Sequence, residues 1–147
     1  LMLAETGHLV MTTLHTSDAA QVVTRIVDIF PPYEQGSVRT QLSLVLNGVI
    51  VQQLVPEAGG TGRILASEVL VATMGVRNLI RENQPQQIRS MIETGYKEGM
   101  HTLNESLLRL HYSGKVTLED ALRASSDPKD LMRMMEREPA QYFEKSA

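Results

Sequence analysis

Apolar and polar residues at the start of the chain follow a pattern that predicts a strand followed by a helix. His8–Leu14 is rich in apolar and β-branched residues without strict alternation, as in a strand covered on both faces. Thr16-Ser17-Asp18 supplies capping oxygens, and apolar residues then recur at helical spacing from Ala19 to Phe30. Pro31-Pro32 ends the helix because proline lacks the amide hydrogen. A strand that leads into a capped helix is the unit of an α/β domain.

A second helix and a β-hairpin are predicted next. The helix runs from about Tyr33 to Leu46 and is broken by Asn47-Gly48. Two strands are predicted at Val49–Val55 and Arg63–Val71, because both are rich in β-branched and apolar residues. The glycine-rich stretch Pro56–Gly62 between them is typical of a turn, so the strands form a hairpin.

From Thr73 onward the pattern changes to short helices, each with a start signal in the sequence. Thr73, Thr102 and Thr117 are candidate caps, and Pro85 can open a helix. The predicted helices are Gly75–Asn83, Pro85–Glu93, one after Thr102, one from Thr117 to Ala124, and Lys129–Glu138, with a frayed tail beyond Pro139. We therefore expect two parts, residues 1–72 and residues 73–147.

Composition narrows the class of protein. The chain has 147 residues, 42% of them hydrophobic and 21% charged, which is typical of a globular domain. A formal net charge of -3 gives no basic footprint for nucleic acid, so we expect no nucleic-acid partner. No apolar run reaches the roughly 20 residues of a membrane helix. The absence of cysteine excludes disulfides and cysteine-bound zinc, which favours a reducing, cytoplasmic setting.

Two histidines, His8 and His15, flank the predicted strand. Seven residues of strand span about 23 Å, so the two rings cannot share one metal ion. His15 lies at the carboxyl end of the strand, where α/β sheets bind ligands, and directly before a helix N-terminus that favours anions. Its ring can donate to a phosphate oxygen, hold a catalytic carboxylate, or merely satisfy a loop carbonyl. For His8, a structural role is the preferred interpretation.

The remaining candidates for chemistry are weaker. His101 and His111 lack partners at metal-ligand spacing and are interpreted as surface or helix-end residues, so no metal site is expected. Met132, Met134 and Met135 are interpreted as helix packing. Arg77 and Arg81, four residues apart, fit either a solvated helix face or a docking surface.

Missing motifs argue against a complete enzyme. The sequence contains no G-x-x-x-x-G-K-[ST] phosphate loop, no G-x-S-x-G elbow and no H-E-x-x-H pair. Its first residue is Leu1 rather than methionine, and no signal peptide follows. We interpret the chain as beginning inside a larger protein, with a processed or tag-cleaved start as the alternative.

Three segments together resemble a known family. Glu5–Val10 with Thr13–Thr16 resembles the histidine box of the type II/IV secretion ATPases, which are hexameric RecA-like motors. Gly75–Glu82 is similar to the A-I-R-N-L-I-R-E motif of the pilus retraction branch, and Gly99–Leu103 resembles its G-M-Q-T-L. The short, cysteine-free hairpin turn also favours that branch over assembly and type II secretion members, which commonly carry a four-cysteine zinc insertion. The chain departs from the motif where Gly75-Val76 replaces Ala-Ile.

The resemblance implies a fold and a set of roles. The fold is α/β: the C-terminal portion of a RecA-like ATPase core, followed by a small all-helical region. His15 would sense the γ-phosphate or an upstream catalytic glutamate, Thr16 would support the phosphate side, and His8 would support the box or an adjoining subunit contact. The retraction-coupling residues would be Arg77, Asn78, Leu79, Ile80, Arg81 and Glu82, with Leu79 and Ile80 as packing anchors.

The resemblance also implies ligands, partners and a location. The intact protein would bind ATP and Mg²⁺, with its phosphate loop and acidic residues upstream of Leu1, and this chain alone would be inactive and bind neither tightly. It would form a hexamer and act on an inner-membrane pilus platform protein from the cytoplasmic side, driving pilus retraction and twitching motility. Two alternatives stay open: an assembly or secretion ATPase without its zinc insertion, and a stand-alone interaction module.

Overall fold

The computed structural model describes residues 1–60 and 62–136. Eight helices and one two-stranded sheet form within these residues, with 3-10 turns at Pro85–Gln87 and Tyr96–Glu98. The elements are α1 (Met2–Glu5), α2 (Ala19–Asp28), α3 (Gln35–Val45), β1 (Gly48–Pro56), β2 (Arg63–Val71), α4 (Met74–Arg81), α5 (Ile88–Thr94), α6 (Leu103–Tyr112), α7 (Leu118–Ala124) and α8 (Pro128–Glu136).

The chain forms two compact units, each assembled from two separate segments. The first unit contains Leu1–Ile50 and Val69–Met100, and the second contains Val51–Glu68 and the described residues from His101 onward. The chain enters the second unit within β1, leaves it within β2, and returns to it at His101. The boundary expected between residues 72 and 73 stays a prediction. The predicted helix end at Glu138 and the predicted fraying beyond Pro139 lie outside the described residues.

The predicted hairpin is confirmed as β1 and β2, which pair in a two-stranded sheet. Glu57 and Gly62 join across the turn, where the Glu57 amide donates to the Gly62 carbonyl at 3.0 Å. Gly48 opens β1 because a Cβ atom there would lie 2.9 Å from the Leu70 carbonyl oxygen. Glycine at the helix–strand junction therefore serves the close approach of two backbones.

Four helices build the core of the first unit. α2 packs against α3 and α5, and α3 packs against α4. The inward positions are apolar and recur at helical spacing; they are Val22, Val23 and Val27 of α2, Val38 and Leu42 of α3, Val76 and Ile80 of α4, and Ile88 and Ile92 of α5. The α3 helix is shorter than predicted, and Tyr33 lies before it with 84% of its surface exposed.

The strand predicted at His8–Leu14 does not form. Residues 8–16 have no regular secondary structure, and Leu9 and Met11 are 83% and 87% exposed. A strand is held by hydrogen bonds to a neighbouring strand, and the sheet of the described residues contains β1 and β2 alone. The prediction of a strand covered on both faces is therefore wrong for the described residues, which supply no strand that pairs with this segment.

Apolar side chains from the hairpin and from α6 to α8 form the core of the second unit. These residues are Val55, Ala66, Leu103, Leu107, Leu108, Val116, Ala121 and Leu131. Met134 and Met135 pack against this core, as predicted, whereas Met132 is 42% exposed. The predicted caps of the short helices are confirmed: Thr73 accepts from the Val76 amide, Thr102 from Glu105, and Thr117 from Asp120.

Candidate functional site

The first candidate residue, His8, lies just after the short helix α1. Its Nδ1 atom is 3.0 Å from the Thr6 hydroxyl oxygen, and that hydroxyl donates to the Leu3 carbonyl oxygen at 2.9 Å. Because the hydroxyl has a single hydrogen, this arrangement favours the His8 tautomer that carries a hydrogen on Nδ1. The ring is thus oriented by its own loop, and its Nε2 edge faces away from that bond.

His15 and Thr16 lie immediately before α2. His15 is exposed and Thr16 is half-buried. These side chains therefore have the capacity to bind a group outside the described residues.

The start of α2 is occupied by the chain's own carboxylate. Asp18 Oδ1 accepts from the Gln21 backbone amide at 2.8 Å, and Asp18 Oδ2 accepts from the Gln21 side-chain amide at 2.6 Å. The carboxylate satisfies a free amide and complements the positive end of the helix dipole. A phosphate beside His15 would therefore meet a negative charge at the α2 N-terminus, and its binding must depend on His15 and Thr16 rather than on the helix amides.

The other two histidines bind nearby groups within the second unit. His101 Nε2 lies 3.1 Å from the Ser67 hydroxyl, and His111 Nδ1 lies 3.2 Å from the Val116 carbonyl oxygen. Across residues 1–60 and 62–136, no group of three or more histidine, aspartate or glutamate side chains is positioned to hold a metal ion. No helix in the same ranges is long and apolar enough to cross a membrane.

α4 presents two different faces. Val76 and Ile80 are 0% and 1% exposed and anchor the helix in the first unit, and Leu79 is half-buried. Asn78, Arg81 and Glu82 are exposed, and the Arg81 guanidinium donates to the Asn78 side-chain oxygen. Asn78 and Arg81 of α4, together with its cap residue Glu82, form the polar face of α4.

Arg77 belongs to neither face. It is half-buried, and its guanidinium donates to the carbonyl oxygens of Ala72, Ser43 and Leu44 at 2.9, 2.7 and 2.7 Å. The sequence left open whether Arg77 and Arg81 share one exposed face. The structure separates them, because Arg77 is directed at the last turn of α3 while Arg81 lies in solvent.

The histidine segment and α4 are connected through packed helices. α2 begins three residues after Thr16, α2 packs on α3, and α3 packs on α4. A surface depression of about 150 Å³ lies among α2, α3 and the end of α4, with Asp28, Arg39 and Ile80 in its lining. Neither His8 nor His15 lines this depression.

Sequence reasoning missed a polar cluster around the buried Asn104 in the second unit. The Asn104 side-chain amide donates to the Asp127 carbonyl oxygen at 3.1 Å and to the Asp130 carboxylate at 3.0 Å, and it accepts from Ser125 at 2.6 Å. No local pattern marks an asparagine whose partners lie more than 20 residues away. The Thr102–Glu105 capping box was also missed, although a threonine followed three residues later by glutamate is its sequence signature.

The model of one protein family, described as "Type II/IV secretion system protein", matches residues 1–123. The chain belongs to this family. This match confirms the resemblance drawn from the histidine box and the R-N-L-I-R-E stretch. Relatives from the retraction branch of the family also match the chain.

Curated members of the type II/IV secretion family resemble the chain to different degrees. The chain is 46% identical over 131 residues to a twitching motility protein of Neisseria gonorrhoeae, covering 89% of the chain and 35% of the relative. It is 44% identical to the type IV pilus retraction ATPase PilT of Pseudomonas aeruginosa, covering 88% and 38%. The type IV pilus assembly ATPase PilB of Thermus thermophilus is 30% identical, covering 81% and 17%.

Solved structures of the family confirm the fold class. The pilus retraction motor PilT with bound ADP superimposes with a TM-score of 0.78 at 50% identity, covering 88% of this chain and 36% of that one. The ATPase DotB of Legionella pneumophila gives a TM-score of 0.68 at 26% identity, covering 82% and 32%. The mixed fold is that of the C-terminal part of these ATPases. The chain spans 35–38% of the length of the two most similar curated relatives given above.

Proposed function

We propose that the protein carrying this chain is a type IV pilus retraction motor that couples ATP hydrolysis to pilus disassembly and twitching motility. The observation that supports the proposal is the 44–46% identity to a retraction ATPase and a twitching motility protein, against 30% for an assembly ATPase. A pilus assembly or type II secretion ATPase is the second candidate, because family members with those names also match the chain.

His15 and Thr16 are proposed as this chain's contribution to the nucleotide site. Bound ATP with Mg²⁺ would supply the phosphoryl-transfer chemistry, and the described residues fit only the edge of such a site, since they contain no metal-binding cluster and α2 begins on Asp18. His15 is proposed to donate to the γ-phosphate or to a catalytic carboxylate, with Thr16 as a second hydrogen-bond donor. His8, oriented by Thr6, is proposed to support the box or a subunit contact.

The polar face of α4 is proposed to deliver the motor's displacement to its partner. Asn78, Arg81 and Glu82 are exposed and carry both charges, which suits a polar docking surface. Leu79 and Ile80 are proposed as the anchors of this helix, and Ile80 is 1% exposed. Arg77 is also proposed to belong to the coupling stretch, although its guanidinium binds the end of α3 rather than lying on the polar face.

The assembly is proposed on the same basis. The intact protein would form a hexamer and act at the cytoplasmic side of the inner membrane on a pilus platform protein. The proposed division of the chain is residues 1–72 as the last portion of the RecA-like core and residues 73–147 as the helical region. By itself the chain is proposed to be inactive, because its 147 residues contain no phosphate-binding loop.

ATP turnover by the full-length product of the gene tests the His15 proposal. We expect His15→Ala to lower turnover at least tenfold, because a donor at the transferring phosphate contributes to charge stabilisation. His111→Ala is the matched control, since His111 binds a backbone carbonyl in the second unit, and it should leave turnover unchanged. Equal turnover in the wild type and in His15→Ala would refute the role of His15.

Cell assays separate the candidate functions. Arg81→Ala in the chromosomal gene should abolish pilus retraction while surface pili remain, because the polar face would no longer dock correctly. Loss of pilus assembly instead would favour an assembly ATPase. If the full-length gene product contains no phosphate loop and shows no ATP turnover, the results would favour the stand-alone interaction module.

A further inference from the structure

Arg77 completes the C-terminus of α3. The last carbonyl groups of a helix have no amide partner four residues ahead, and many helices satisfy them with a left-handed glycine. α3 ends differently, because its cap residue Leu46 is extended, with φ -64° and ψ 127°. The carbonyl oxygens of Ser43 and Leu44 instead each accept from Arg77 at 2.7 Å.

The same guanidinium also binds the end of the hairpin. Arg77 Nε donates to the Ala72 carbonyl oxygen at 2.9 Å, and Ala72 directly follows β2. The Ala72 amide donates to the Asn47 carbonyl oxygen at 3.0 Å, just beyond α3. Charge-assisted hydrogen bonds are stronger than neutral ones, and a cation at a helix C-terminus complements its dipole. One side chain thus joins α3, the end of β2 and α4.

We propose that Arg77 is a positioning residue that makes α3 and α4 move as one body, so that motion of α3 reaches the polar face of α4. This inference rests on the proposed retraction function. Arg77 then contributes to coupling without contacting the partner, whereas Arg81, exposed and bonded to Asn78, is available to contact it. The R-N-L-I-R-E stretch accordingly contains one arginine that transmits motion and one that docks.

Backbone hydrogen exchange in the full-length protein measures this connection directly. Arg77→Ala should accelerate amide exchange in residues 40–48 by about tenfold to a hundredfold, because α3 loses hydrogen bonds to a charged donor at its end. Arg77→Lys keeps the charge but not the forked geometry, so its acceleration should be smaller. Arg81→Ala should leave exchange in residues 40–48 at the wild-type rate.

Retraction speed in cells supplies the functional readout. We expect Arg77→Ala to slow retraction and Arg77→Lys to restore it in part, in the same order as their effects on exchange. Arg123→Ala is the control for loss of a surface arginine, since Arg123 is 71% exposed and pairs with Glu119 and Asp120 on its own helix. It should change neither readout.

Two results would overturn the inference. One is backbone amide exchange at the wild-type rate in residues 40–48 of Arg77→Ala, which would mean that Arg77 does not stabilise the end of α3. The other is accelerated exchange with normal retraction, which would mean that the connection does not serve coupling. Failure of the proposed function would look different: deletion of the gene would leave pilus retraction at its wild-type speed, whereas the exchange result for Arg77→Ala would still stand.

Discussion

The terminal methyl group of Met91 occupies the space in which a residue other than Gly75 would carry its Cβ atom. An ideal Cβ at position 75 would lie 2.6 Å from Met91 Cε. Gly75 stands in the first turn of α4, where the retraction motif has alanine, and Met91 lies on α5. The departure from the motif is therefore matched by a side chain from the next helix, which reaches closer to α4 than alanine would allow.

The first prediction concerns this pair. Gly75→Ala gains about 1 kcal/mol of helix propensity, but it displaces the end of a flexible side chain at a cost of about 0.5–1.5 kcal/mol. We expect a net change near zero in the wild-type background. In a Met91→Ala background the same substitution should stabilise by about 1 kcal/mol. Urea unfolding of the four variants measures the difference, and equal effects in the two backgrounds would show that Met91 does not restrict position 75.

The second prediction contrasts two glycines. A Cβ atom at Gly95 would lie 2.8 Å from the backbone oxygen of Met91 and would overlap the terminal methyl group of Met100. Because a backbone atom cannot move cheaply, Gly95→Ala should lower the unfolding free energy by about 1–3 kcal/mol. Gly36, within α3, has nothing within 4 Å of the same position, so Gly36→Ala should raise it by about 0.5–1 kcal/mol. Thermal unfolding tests both signs, and a destabilised Gly36→Ala would contradict the packing described.

The third prediction concerns the buried Asn104. Its side chain is 3% exposed and bonds to Ser125, Asp127 and Asp130. Asn104→Ala should cost about 2 kcal/mol, because the half-buried Ser125 hydroxyl loses its acceptor and the start of α8 loses a hydrogen-bond donor. Ser113→Ala is the control, since the Ser113 hydroxyl bonds an exposed carbonyl on its own helix, and its effect should stay within about 0.5 kcal/mol. Similar losses in both variants would mean that the cluster is not a specific source of stability.

The fourth prediction separates the two roles of Asp18. Asp18→Ala removes the cap of α2 and should cost about 1 kcal/mol. Asp18→Asn keeps one accepting oxygen for the Gln21 backbone amide but replaces the oxygen that accepts from the Gln21 side chain. It should therefore lose the charge–dipole contribution, about 0.3–1 kcal/mol, together with that exposed side-chain hydrogen bond. Unfolding free energies at low and high salt distinguish the contributions, since salt screens only the charge. If Asp18→Asn is as costly as Asp18→Ala at high salt, the cap does not depend on the oxygen.

Much of the local structure follows from the sequence alone. Asp18, Thr73, Thr102 and Thr117 cap helices as predicted, because a capping oxygen acts on an amide two or three residues away. The hairpin was predicted for the same reason, since its strands and turn are adjacent in the chain. The family was also accessible from the sequence, because its motifs are contiguous runs of residues.

Local sequence patterns could not predict the structure of His8–Leu14 or the different positions of Arg77 and Arg81 on α4. A strand exists only beside another strand, and among the described residues the sheet offers β1 and β2 alone. The sequence placed Arg77 and Arg81 four residues apart, as if they were equivalent. Their difference comes from Ser43 and Leu44, more than 30 residues earlier in the chain. Because α3 ends there, the carbonyl oxygens of these two residues accept hydrogen bonds from Arg77 rather than from amides of a further helical turn.

Sequence by itself thus determined where helices start, where the hairpin turns, and which family the chain belongs to. Each of those depends on interactions between residues close together in the chain. The tertiary structure decided that Arg77 ends α3, that Met91 fills the space above Gly75, and that Asn104 joins α6 to α8. Those contacts join residues distant in the chain, and they form only when the packed helices bring the partners within hydrogen-bond or van der Waals distance.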